Sequence, residues 1–105
     1  MDLDRRVYLS PDQITQLSIS VPANQWQYDD EVGAYIHTIT LPEEYISRVI
    51  SSVDIDMSNA TSDNASQLLD TWFLINRATI SENIVQLICF YNAPAIDINI
   101  VLEVF

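Results

Sequence analysis

The stretch Ile96-Asp97-Ile98-Asn99-Ile100-Val101-Leu102-Glu103-Val104-Phe105 decides the fold. Ile96, Ile98, Ile100, Leu102 and Val104 alternate with a mostly polar set, the period of two that belongs to a strand with one face on a core. Just upstream, Ile84 to Tyr91 is apolar on both faces except at Gln86. Such a strand predicts cover on both sides, from a helix, a second sheet or another subunit.

Working outward, Arg77 to Ile80 and Ile84 to Tyr91 form a predicted hairpin about Ser81-Glu82-Asn83, and Asn92-Ala93-Pro94 turns the chain into the closing strand. Before the hairpin, Ala65, Leu68, Leu69, Trp72 and Ile75 recur at helical spacing, so the sequence predicts an amphipathic helix from Thr61 or Ser62 to about Leu74. Three more strands precede it: Leu17 to Val21, Ala34 to Leu41, and Val53 to Met57. Pro42-Glu43-Glu44 predicts a short helical turn, with Pro42 at its first position. Residues 23–31 read as a loop. Gly33, the sole glycine, marks a backbone position with positive φ or a close approach. The expected fold class is α+β: a mostly antiparallel β-sheet or small β-sandwich of about six strands with one amphipathic α-helix packed on it. Residues 1–105 form one domain, with a polar N-terminal segment over 1–12.

Composition excludes several functions. Fifteen acidic residues stand against four basic ones, all arginine, for a formal charge of −11, which repels phosphate backbones and anionic lipid alike. Direct nucleic-acid binding and membrane insertion are therefore not expected. The N-terminus has no apolar core of signal-peptide length, so the mature chain is expected to begin at or near Met1 unless it is a piece of a longer polypeptide. Cys89 is the only cysteine, which rules out an intrachain disulfide, and its place in an apolar strand makes it a core residue.

No motif reads as a reaction centre. His37, the only histidine, shares a strand face with Tyr35, Ile39 and Leu41, where packing is the simpler role. Asp54-x-Asp56-x-Ser58 opens like a calcium loop, but Asn59 stands where the turn glycine belongs and Ala65 where the bidentate glutamate belongs. Asp29-Asp30-Glu31 is the other acidic cluster open to a cation reading, its simpler role being a solvated loop tip. Nucleophile elbows, zinc-binding helices, phosphate loops and dinucleotide fingerprints are all missing from the sequence. The expectation is a protein without catalysis and without a cofactor.

The order of the segments resembles a known module. Trp26, then Gly33-Ala34-Tyr35-Ile36-His37-Thr38-Ile39-Thr40-Leu41, then Val53-Asp54-Ile55-Asp56 is similar to the front half of a small module of bacteriophage fibre and receptor-binding-associated virion proteins, chiefly in phages of Firmicutes. Leu69-Asp70-Thr71-Trp72 with Ile75 and Arg77, then Cys89-Phe90-Tyr91, Pro94 and Asp97 to Leu102, resemble that family's Trp-bearing helix and closing strands. The family usually carries a Gly-Pro pair before the tyrosine, where this chain has Gly33-Ala34. The resemblance implies a structural or adhesive virion component, in a head fibre, tail fibre or tail tip, that contacts other virion proteins or sister subunits. A homo-oligomer is expected, with a trimer among the orders to consider. A host surface glycan is a further candidate ligand, with Trp26 and Tyr28 as contacts because flat rings cover sugar faces. Ile88, Phe90 and Phe105 are the candidate subunit-interface residues. The rival expectation is a small acidic inhibitor that mimics nucleic acid and blocks a basic host protein.

Overall fold

In the computed structural model, residues 14–105 are described. The polar segment expected over 1–12 lies outside them. Among the described residues, seven strands build two antiparallel sheets. The first holds β1 (Thr15–Val21), β7 (Ile98–Val104) and β4 (Ile50–Ile55) in the order β1-β7-β4, and the second holds β2 (Gln27–Asp29), β3 (Ala34–Thr40), β6 (Ile84–Cys89) and β5 (Arg77–Ser81) in the order β2-β3-β6-β5. The chain crosses from one sheet to the other four times, so neither sheet is a local unit. One helix, α1 (Ala65–Trp72), lies in the β4-to-β5 connection and packs against β7.

The period-two reading of the closing strand holds. Ile98, Ile100, Leu102 and Val104 are buried, while Asn99, Val101 and Glu103 take the other face. Because β7 is the middle strand, its backbone pairs on both edges, with Leu102 opposite Leu17 on one side and Val53 on the other. Facing it across the core, the second sheet contributes Ile39, Val85 and Leu87, and the connections add Leu41 and Tyr45. The two sheets thus share one apolar layer, closed at its margin by Leu68 and Trp72 of α1 together with Ile75.

Local departures from the sequence reading have identifiable causes. The segment expected to be a loop over 23–31 holds a 3-10 turn at Ala23–Gln25 and the three-residue strand β2, which pairs Tyr28 with Tyr35. Pro42 precedes the Glu43–Tyr45 3-10 turn instead of opening it. β4 begins at Ile50, ahead of the expected Val53, and a bulge between Ile50 and Ser52 realigns it on β7. The helix starts at Ala65, later than the expected Thr61 or Ser62, because the Asn64 side-chain oxygen accepts from the Thr61 backbone N–H (2.7 Å) and hydroxyl (3.2 Å), holding a turn in place of a first helical turn. Leu69, expected on the apolar face, is exposed.

Two details fix the ends of the sandwich. Gly33 closes the β2–β3 turn at φ +74, with open space where a Cβ would sit, so conformation alone selects glycine. Arg48 bridges the far end: its Nε donates to the Phe105 carbonyl (2.9 Å), and its Nη2 donates to the Thr15 hydroxyl (3.1 Å) and the Val104 carbonyl (3.2 Å). The guanidinium also lies 5.5 Å from the Tyr45 ring centroid. One side chain therefore joins β1, β7 and the approach to β4.

Leu102→Ala empties the centre of the shared layer and should cost ~2–5 kcal/mol, read from the shift of the urea midpoint at unchanged m. A loss under ~1 kcal/mol would mean the two sheets do not depend on β7 for their common core.

Candidate functional site

Strand alternation gives each sheet an outer face. In the second sheet Val85, Leu87 and Ile39 point inward, so their neighbours point out, in three cross-strand rows. The first row runs Gln27, Ile36, Ile88, Arg77; the second Thr38, Gln86, Thr79; the third Thr40, Ile84, Ser81. No carboxylate occupies these ten positions, but the next row, Asp29 opposite Ala34, brings a carboxylate onto the same face at the β2 end. The Gln86 amide donates to the Thr38 hydroxyl at 3.2 Å, which holds the middle row in one conformation. Arg77 extends over the Phe90 ring, its guanidinium carbon 5.9 Å from the centroid.

The outer face of the first sheet has the opposite character. Glu103 accepts from Gln16 (3.2 Å) and Ser52 (3.4 Å), and Asp54 and Asp56 lie along the same side. Hydrogen bonds from Ser58 first, and then from Ser18, hold the Asp56 carboxyl below the usual carboxylate range. The sign is that of a stabilised carboxylate: its contribution is present near neutrality and is lost as pH falls through the lowered value. Asp54 Oδ1 accepts from the Ile55 N–H (2.8 Å) and Asp56 Oδ1 from the Ser58 N–H (2.9 Å). In the other acidic cluster, Asp29 Oδ1 accepts from the Glu31 and Val32 N–H groups (2.9 and 3.1 Å). These oxygens serve turns, and among the described residues no group of three or more His, Cys, Asp or Glu side chains is placed to hold a metal ion.

The second sheet's outer face is concave near β2. A cleft of 360 Å³ there is lined by Gln27, Tyr28, Asp29, Asp30, Ile36, Thr38 and Gln86. Beyond Gln27 and Thr38 lies a second, uncharged cleft with Asn24, Gln25 and His37 on its walls. His37 is 6% exposed, and its Nδ1 lies 3.2 Å from the Gln25 carbonyl oxygen. Since a carbonyl only accepts, Nδ1 is the donor in this contact.

The sequence-derived residues fall into distinct environments. Trp26 packs on the core and on His37, ring centroids 5.6 Å apart, and its buried Nε1 has no hydrogen-bond partner. Its indole is thus engaged within the chain, which corrects the expectation of a free platform for a sugar. Tyr28 is 55% exposed and meets Tyr35 edge-on at 5.1 Å, so it alone of that pair offers a ring to solvent. Ile88 is only 3% exposed, enclosed in a row between Ile36 and Arg77, and needs no second subunit for its own burial. Phe90 is 40% exposed, and Phe105 is half-buried with its backbone paired to Val49. Among the described residues β6 is sealed on its inner face, while on its outer face Ile88 is buried and Ile84 is exposed. Sequence reasoning missed Gln27, Thr38, Gln86 and Arg77, which become one surface only through strand register.

No protein-family description, curated protein or solved structure matches this chain. No helix among the described residues is long and apolar enough to cross a membrane.

Cys89 is buried in β6, and burial pushes its thiol up to about 11. At pH 8 a thiol reagent should therefore label the native chain only as fast as the chain opens, and labelling should accelerate along the urea unfolding curve. Immediate stoichiometric labelling without denaturant would contradict this burial.

Proposed function

We propose that the chain is a non-catalytic structural or adhesive module of a bacteriophage virion, serving in a head fibre, tail fibre or tail tip. Support comes from the ordered resemblance of its Trp26, Gly33 to Leu41, Leu69 to Trp72 and Asp97 to Leu102 segments to that family. The observation that carries the reading is the segregation of surface chemistry. A chain of charge −11 keeps the middle of one sheet face, around Thr38 and Gln86, free of carboxylates, with Asp29 at the β2 end of that face. Carboxylates are depleted at the centres of protein contact surfaces because desolvating them is costly.

The rival reading, an acidic mimic of nucleic acid, asks for one continuous acidic surface. Here the acids are divided among the β2–β3 turn, the Glu43–Tyr45 turn, the first sheet's outer face and α1. For an adhesive role, Tyr28 is the ring available to a glycan, and Tyr28→Ala tests it without disturbing the core that Trp26→Ala would disrupt.

The chain should appear at fixed stoichiometry among the proteins of purified particles, and antibody to it should decorate their surface. Recovery only from infected-cell lysate, bound to a basic host protein, would replace this reading with the inhibitor. Tyr28→Ala should reduce adhesion of particles about tenfold or more if the module itself grips the host glycan.

A further inference from the structure

We propose that the uncharged cleft where β2 begins is a binding site for a neutral glycan, with His37 in its wall. The Ala23–Gln25 turn supplies Asn24 and Gln25, and β2 supplies Gln27. β3 adds His37 and Thr38, which follow Ile36, the last residue that β2 pairs. At 360 Å³ the cleft is within the range of small-ligand sites. The proposal rests on the adhesive reading for the source of the sugar, and on the cleft itself for its chemistry.

His37 is the independent sign of a ligand. Its side chain is 6% exposed, yet among the described residues it makes one hydrogen bond, from Nδ1 to the Gln25 carbonyl. Trp26 Nε1 is the sealed side-chain polar atom left without a partner, so His37 Nε2 is neither bonded within the described chain nor sealed. The little surface it keeps opens on the cleft that the residue lines. A ring held between the Trp26 indole, 5.6 Å away between centroids, and a fixed carbonyl is preorganised to meet one ligand atom.

The other walls decide the class. Three side-chain amides and a threonine hydroxyl each donate and accept, as the hydroxyl groups of a sugar do. None of the five residues is a carboxylate, an arginine or an aliphatic side chain, so ammonium, phosphate and lipid groups find no counterpart. The adjoining cleft shares Gln27 and Thr38 and is bordered by Asp29 and Asp30, which on a chain of charge −11 turn away anionic sugars. A peptide strand fits less well, because β3 ends at Thr40 and its edge past Ile36 is too short to hold a strand by main-chain pairing. Each hydrogen bond made in competition with water gives a small net gain, so one site binds with a Kd of about 1 mM, and repetition in a fibre supplies the avidity.

His37 is the only histidine, so its ring proton resonances report on the cleft by themselves. The probes for the full chain are neutral disaccharides of glucose, galactose, mannose and N-acetylglucosamine, with glucuronate, glucosamine and acetyl-trialanine amide as comparators. At least one neutral disaccharide should shift the His37 resonances to saturation at millimolar concentration, and no comparator should. Asn24→Ala and Gln27→Ala, both exposed, should each weaken binding about threefold to tenfold, whereas Asn92→Ala, exposed in the cleft beside α1, should leave it within about twofold. Silence of the His37 resonances toward every neutral disaccharide overturns the proposal. A comparator that binds as tightly, or binding indifferent to both cleft variants, overturns it as well. A chain that ignores sugars yet is found at fixed stoichiometry in particles would lose this site and keep the virion reading, and a sugar-binding chain absent from particles would do the reverse.

Discussion

The double pairing of β7 is the constraint on which the sandwich rests. A strand with partners on both edges and four sealed side chains on one face has no freedom of register, since a slip of one residue would turn Ile98, Ile100, Leu102 and Val104 out to water and bring Asn99 and Glu103 in. With β7 fixed, β1 and β4 are fixed, and the apolar layer they present determines where Ile39, Val85 and Leu87 of the other sheet must lie. Arg48 then joins the same three strands at their far end through neutral acceptors, a use of arginine that depends on its fork of donors more than on its charge.

The outsides of the two sheets differ in chemistry. On the first, carboxylates are compensated by hydroxyl and amide donors and keep the surface hydrated. On the second, threonine, glutamine and isoleucine alternate, a composition compatible with both water and contact. The virion reading draws on that asymmetry, the centre of the second sheet's outer face lacking the carboxylates that line the first.

Much of the scaffold was legible: β7 follows from alternation, β6 from its nearly unbroken apolar run, and the hairpin between β5 and β6 from its turn residues, while the burial of His37 and Cys89 follows from their apolar strands and the positive φ of Gly33 from its being the sole glycine. β2 was not, since Gln27-Tyr28-Asp29 is too short to show a period and gains its identity only from pairing with β3. The helix start was obscured by Thr61 and Asn64, which satisfy each other before the helical bonds begin. The candidate surface was half legible. Ile88 and Phe90 announce an apolar outer side to β6, but Gln27, Thr38, Gln86 and Arg77 are scattered along the sequence, and no periodicity within one strand says that they are neighbours.

The four crossings between sheets carry a consequence for biosynthesis. β1 and β4 both emerge from the ribosome well before β7, the strand that separates them, so their inward aliphatic residues must wait without a partner while the hairpin and helix are made. Contacts between distant parts of a chain form slowly. Until β7 is made, neither β1 nor β4 has its partner in the first sheet, and the strong negative charge of the chain opposes clumping of their unpaired aliphatic residues.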